Sequence, residues 1–296
     1  MGALSKIEWT DHTFNPWWGC TRVSEACRNC YAETFDKRVH GIGNEHWGPE
    51  APRRFFGDKR WAEPLKWNAR AERTGVRERV FCASMADVFE DRDDLIEHRR
   101  RLWLLISATP HLDWLLLTKR PENFRRMLPW FEAMGQFDEP WPHVWLGVTA
   151  ETQADAARRI PLLLATPAVC RFVSVEPMLE AINLTDLVRP MAVGVHGHNA
   201  LHCDVDPEDD EWNGAVLDWV ICGGESGPGA RPMHPDWARS LRDQCVEAGT
   251  AFLFKQWGAW APAGDSDITM LLGKKAAGRE LDGRTWDQVP EVRRVA

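Results

Sequence analysis

The sequence predicts an α/β fold, a parallel barrel that is complete or partial. Three observations predict it. Short, nearly continuous apolar runs recur along the chain, as strands buried on both faces require. Amphipathic stretches lie between them. Strand centres fall roughly 30 residues apart, the length of a strand plus its crossover helix. With 296 residues, 44% of them hydrophobic, the chain can bury one large core.

The elements follow in order. An extended stretch, Thr13 to Trp18, leads into a cysteine loop. Strands are expected at Arg79 to Met85, Asp113 to Thr118, His143 to Thr149, Cys170 to Val175, Leu217 to Cys222 and Thr250 to Lys255, each rich in β-branched or aromatic residues. Asp94 to Ser107 reads as a helix with Leu95, Leu102, Trp103 and Ile106 on one side and Arg99, Arg100 and Arg101 on the other, solvated side. Glu151 to Leu164 puts Ala154, Ala157, Ile160 and Leu164 on one stripe, and Pro161 should kink or divide it. Pro235 to Ala248 carries Trp237, Leu241 and Cys245 at spacing four, with Gly249 as a stop. Residues 192–214 lack helical periodicity and include the run Asp204 to Glu211, which reads as a solvated surface insertion. The division is therefore a barrel over 1–257 and a polar, Gly-rich extension over 258–296 that packs on it.

Composition excludes several classes. A formal net charge of −8 excludes a globally basic nucleic-acid binder, though a local basic groove stays open. No run of about 18 apolar residues marks a membrane span, and the first residues lack the apolar core of a signal peptide. Eight cysteines are too few for a disulfide scaffold in a chain of this size, so a reducing cytoplasm is the expected setting. Seventeen tryptophans against one tyrosine indicate core filling by indole rings.

Candidate chemistry begins at Cys20, Cys27 and Cys30, spaced C-x6-C-x2-C. Three thiolates can hold three corners of a 4Fe–4S cluster and leave one iron for a small molecule. The close Cys27–Cys30 pair also suits a structural Cys3His zinc site with His12 or His40 as fourth ligand, which would make the chain a nucleic-acid or protein binding module. Reactive groups of parallel barrels sit at the carboxyl ends of strands. Here those ends carry Ser84 and Asp87, Lys119, Thr149 and Glu151, Glu176, Glu225, and Lys255. Thr149 and Glu151 equally suit helix capping. Lys119, Glu176 and Lys255 follow apolar strands, where an unpaired charge is costly, and read as a polar pocket. The loop Gly223 to Gly229 lacks phosphate-loop spacing; it reads as a turn whose glycines allow close backbone approach. Arg53-Arg54, Arg99 to Arg101, Arg125-Arg126 and Arg158-Arg159 are candidate phosphate contacts, and Trp47, Trp61 and Trp260 candidate base-stacking rings.

A set of motifs resembles the phage three-Cys-motif family. It comprises Ile7 to Cys20, the three cysteines with Tyr31-Ala-Glu33, Ala83 to Phe89, Leu117 to Pro121, Leu146 to Thr149, Ser174 to Pro177, Gly223 to Ser226, Lys255 to Trp257 and Lys274 to Gly283. The resemblance runs nearly end to end. Members of that family are regarded as similar to radical S-adenosylmethionine (SAM) enzymes. The resemblance implies a (β/α)6-type partial barrel in which Cys20, Cys27 and Cys30 bind a 4Fe–4S cluster. It implies SAM cleavage to methionine and a 5′-deoxyadenosyl radical, with an electron from a reductase. Its phage context implies a nucleic-acid base or modified nucleotide as substrate, in the host-cell cytoplasm. There are departures: the usual loop is C-x3-C-x2-C, and the usual Gly-Gly-Glu after the second strand is replaced by Ser84 to Asp87. Ser84, Asp87, Thr149 and Glu151 are the cofactor-binding candidates, and Lys119, Glu176, Glu225 and Lys255 the catalytic ones.

Overall fold

A computed structural model of the chain describes residues 5–41, 43, 46–131, 139–190, 195–202, 215–263 and 269–291. The fold is α/β, built on a seven-stranded parallel sheet. Its strands are β1 (His12–Thr13), β2 (Glu78–Cys82), β3 (Leu112–Thr118), β4 (Val144–Thr149), β5 (Arg171–Val175), β6 (Trp219–Gly223) and β7 (Ala251–Gln256). Their order in the sheet repeats their order in the chain. A doubly wound sheet would reverse direction at a switch point; this one never does, and singly wound order is the barrel type of connection. Strand burial is nearly continuous: every residue of β4 and β6 is buried. Chain packing divides it into two compact units, Met1–Leu146 with Arg294–Ala296, and Gly147–Arg293.

In the first unit, β1, β2 and β3 pair in parallel, with His12 opposite Val80 and Glu78 opposite Leu112. The expected stretch from Thr13 to Trp18 is split. The chain leaves the sheet at Asn15-Pro16, where Pro16 has no N–H to offer. The Asn15 side chain instead accepts the Met85 amide at 2.7 Å. Trp17–Trp18 then pairs antiparallel with Arg54–Phe55. Two helices the periodicity did not reveal are α1 (Tyr31–His40) and α2 (Glu63–Thr74). The expected helix from Asp94 begins as a 3-10 turn, Asp93–Leu95, and continues as α3 (Ile96–Ser107). Arg99 corrects the solvated face assigned to it: it is buried and donates to the carbonyls of Val88 (2.8 Å) and Glu90 (2.6 Å).

In the second unit, β5, β6 and β7 pair in parallel, with Trp219 opposite both Phe172 and Ala251. Helix α4 (Gln153–Leu164) starts at Thr152, whose hydroxyl accepts the Asp155 amide at 3.1 Å. Pro161 neither divides nor ends it; it lies in the last turn, where the loss is confined to one hydrogen bond. Helix α5 (Pro235–Ala248) ends as expected at Gly249, with φ 71°. Leu187–Pro190 and Val195–His198 pair antiparallel. The acidic run from Asp204 lies outside the described residues.

Beyond Trp257 the chain forms two small antiparallel pairs, Trp260–Pro262 with Thr269–Leu271 and Glu280–Leu281 with Arg284–Thr285. The second turns through Asp282 (φ 54°) and Gly283 (φ 69°), the Asp-Gly geometry of a tight hairpin. The following residues run antiparallel along edge strand β7. Phe254 N–H donates to Trp286 O at 2.9 Å, Gln288 N–H to Phe252 O at 3.2 Å, and the Trp219 indole to Gln288 O at 2.8 Å. An open edge is thereby covered. Among the described residues, no helix is long and apolar enough to cross a membrane.

Gly147 in β4 lies flat against the Phe172 ring, which occupies the space a Cβ would take. Overpacking of this kind costs about 1–3 kcal/mol. Gly147→Ala should lower the unfolding free energy by that amount, seen as a lower urea midpoint with an unchanged m-value.

Candidate functional site

In the first unit the three thiols are set on one loop. Gly19 (φ 114°) opens it, and its N–H donates to Met85 O at 3.0 Å. A side chain there would collide with the His46 carbonyl, so glycine is required. Cys27 lies in the 3-10 turn Glu25–Asn29, and Cys30 stands at the start of α1. Cys30 N–H donates to Cys27 O at 3.3 Å, which folds the pair into one turn. The Tyr31 hydroxyl donates to Ser84 O at 2.8 Å, and the Asn15 amide to Ser84 Oγ at 3.1 Å, so the turn is tied to the end of β2. None of the described cysteines is in a disulfide.

Two buried arginines fix the start of the loop. Arg120 donates to Thr21 O at 2.7 Å, lies 3.7 Å from Cys20 Sγ, and pairs with Asp87 at 2.9 Å. Asp87 also accepts Thr118 Oγ1 (2.7 Å), Lys119 N–H (3.1 Å) and Phe89 N–H (3.0 Å). Both its oxygens are thus engaged inside the protein. Arg53 forms a two-pronged pair with Glu90 (2.8 and 3.0 Å) and donates to Thr21 Oγ1 at 2.9 Å and to the carbonyls of His46, Gly48 and Ala51. Sequence reading singled out neither arginine for this role.

Lys119, half-buried beside Asp87, acts electrostatically on Cys27 and Cys30. Burial opposes ionisation of the Cys27 thiol, but the Lys119 ammonium and the backbone of Val23 and Ser24 outweigh it and hold Cys27 below the ordinary thiol range. Burial lifts Cys30, against the pull of the Glu33 and Ala32 backbone. Cys20 is pushed by burial to about 12 despite Arg120. The loop therefore sets Cys27 and Cys30 near Lys119, and Cys20 near Arg120.

In the second unit the strand-end groups pair among themselves. Lys255 Nζ meets Glu176 Oε1 at 2.8 Å, and Ser174 Oγ donates to Glu176 Oε2 at 3.1 Å. Gly223 sits in a register shift of β6, and a Cβ there would lie 2.7 Å from Glu176 Oε1. Glu225 is buried and held by Arg231 through Nε (2.9 Å) and Nη2 (2.6 Å). Glu151 is fully buried and accepts Arg159 Nη1 at 2.7 Å; the same nitrogen donates to Thr149 O at 2.6 Å. The Gly223-Gly224 backbone approach serves protein packing: Glu176 fills one site and the Trp257 carbonyl the other.

Several surface candidates prove internal. Arg53, Arg99 and Arg159 are buried, and Trp61 is 4% exposed under the Arg101 guanidinium. These residues cannot meet a phosphate or stack on a base. Arg100, Arg125, Arg126 and Arg158 are exposed, while Trp47 and Trp260 are half-buried. The histidines named as fourth zinc ligands face other groups. His12 Nε2 meets Glu78 at 2.8 Å and its ring stacks on Trp67, whereas His40 meets Asp36 at 3.0 Å.

Fold and site together define an α/β protein with a three-thiol loop at the carboxyl ends of parallel strands. The chain belongs to the family described as Protein of unknown function (DUF5131), whose model matches residues 4–290. Neither the curated proteins nor the solved structures yield a match.

Removing the Asp87 carboxylate leaves buried Arg120 with only Glu90, 3.8 Å away and already paired with Arg53. Asp87→Ala should cost about 3–5 kcal/mol, and Asp87→Leu combined with Arg120→Met should recover most of it, by urea unfolding.

Proposed function

We propose that this chain is a radical SAM-type enzyme, with Cys20, Cys27 and Cys30 holding a 4Fe–4S cluster. The observation that supports the reading is one loop, at the ends of parallel strands, that carries three undisulfided thiols, with Arg120 beside Cys20 and Lys119 acting on Cys27 and Cys30. The donor set fits such a group: thiolate is its ligand, and three leave one iron position for SAM. The chemistry so supplied is one-electron cleavage of the SAM sulfonium, giving a 5′-deoxyadenosyl radical that takes hydrogen from substrate. A partial barrel of (β/α)6 type accords with the singly wound strand order.

The chain's own residues have distinct parts in this proposal. Lys119 and Arg120 offset the negative charge of three thiolates. Asp87 positions Arg120, and through it Cys20, rather than touching SAM itself. Ser84 remains a SAM contact candidate beside the Tyr31 hydroxyl. Glu176 and Lys255 are the polar pair offered to substrate. Thr149, Glu151 and Glu225 act through the arginines they hold. The substrate in this proposal is a nucleic-acid base, extruded from its stack to be reached. Its phosphates would meet the exposed Arg125 and Arg126, and a reductase supplies the electron.

Anaerobically reconstituted protein should carry about four irons and four sulfides per chain and absorb near about 400 nm. Replacing any one of Cys20, Cys27 or Cys30 by Ala should abolish iron binding and release of 5′-deoxyadenosine from SAM; Ala at Cys82, Cys170 or Cys245 should leave both intact. A colourless wild-type protein after reconstitution sinks the proposal. DNA or RNA affinity should fall steeply between low and moderate salt; a salt-independent affinity, or none, removes the nucleic-acid substrate.

A further inference from the structure

We infer that Asp36, His40 and His46 form a second metal site, for a divalent first-row transition ion such as zinc, separate from the three cysteines. Asp36 and His40 lie four residues apart on α1 and so share a face. His46 joins them from the segment after the helix. His40 Nδ1 is 3.0 Å from Asp36 Oδ1, and His46 Nδ1 is 3.0 Å from the same oxygen. Among the described residues this is the one group of three His, Cys, Asp or Glu side chains whose ligand atoms all lie within 4.8 Å of one another.

Two arguments favour an ion over a plain hydrogen-bonded trio. The first is charge. The Asp36 side chain is 0% exposed, yet no Lys or Arg among the described residues pairs with it. A buried carboxylate needs a compensating cation. The neighbouring groups are two imidazoles and the His46 N–H, which donates to Oδ2 at 2.7 Å. The second is spacing. Two imidazole Nδ1 atoms converge on one carboxylate oxygen, and all three ligand atoms lie within 4.8 Å of one another, close enough to share one ion. Two imidazoles and a carboxylate suit zinc or ferrous iron and leave positions open for water.

Arg54 is the competing group. Its Nη1 lies 2.6 Å from His40 Nε2, and its guanidinium overlies the Trp18 ring at 4.9 Å and the Phe56 ring at 5.4 Å. An ion on Nδ1 leaves the ring proton on Nε2, where it opposes the Arg54 donor. Arg54 must then withdraw onto the aromatic faces that it already covers. The inference is independent of the proposed cluster, because none of these four residues is a cysteine.

Cobalt(II) is the probe, added to metal-stripped full-length protein. The expected result is one ion per chain with visible d–d absorption and no thiolate-to-cobalt charge transfer, beyond any cobalt that the three cysteines take up. That signal should persist in the combined Cys20→Ala, Cys27→Ala, Cys30→Ala variant. Asp36→Asn and His46→Gln should each weaken it by more than about tenfold, and Arg54→Met should tighten it several-fold. An unchanged affinity in Asp36→Asn and His46→Gln, or no non-thiolate cobalt in folded wild-type protein, overturns the site. Should those two variants fail to fold, Arg54→Met decides: an affinity equal to or weaker than wild type overturns it.

Discussion

The pairing of Asp87 with Arg120 is the constraint on which the candidate centre depends. A seven-residue strand, β3, delivers Thr118, Lys119 and Arg120 in succession. The end of β2 delivers Asp87. One carboxylate then satisfies a hydroxyl, two backbone amides and a guanidinium. The guanidinium passes this order on to Thr21 and Cys20. A loop of small and polar residues has little apolar area with which to hold itself. Its thiols are placed by charge pairing that begins in the sheet.

Charge burial has the same form in the second unit. Glu151 with Arg159, and Glu225 with Arg231, place a carboxylate under a strand end and an arginine across it. Buried pairs of this kind add little net stability, but losing one partner is costly. Glu176 with Lys255 differs in its carboxylate, which is partly accessible where Glu151 and Glu225 are buried. That accessibility separates a pair that can exchange partners with an incoming polar molecule from pairs that only fix the backbone.

The strands were legible because a parallel strand buried on both faces must be apolar throughout. All six long runs appear, shifted by one to three residues at their ends. Helix α1 was hidden because its buried face includes Glu33 and Asp36, charged residues that no apolar period records. Pro161 does not divide its helix, which runs on to Leu164. The arginine doublets misled for a different reason: sequence gives the charge of Arg53, Arg99 and Arg159 but not the carbonyls and carboxylates that receive it. The Cys trio and the strand-end polar groups were visible from spacing and strand ends. Arg53 and Arg120 as loop clamps were not, since their partners lie tens of residues away in the chain.

The covering of β7 by Trp286 to Gln288 has a consequence for biosynthesis. During translation β7 leaves the ribosome before the segment that shields it. For that interval its unpaired N–H and C=O groups can recruit strands from neighbouring nascent chains. Emergence of Trp286 to Gln288, rather than formation of the last sheet strand, is therefore the step that closes this route to aggregation.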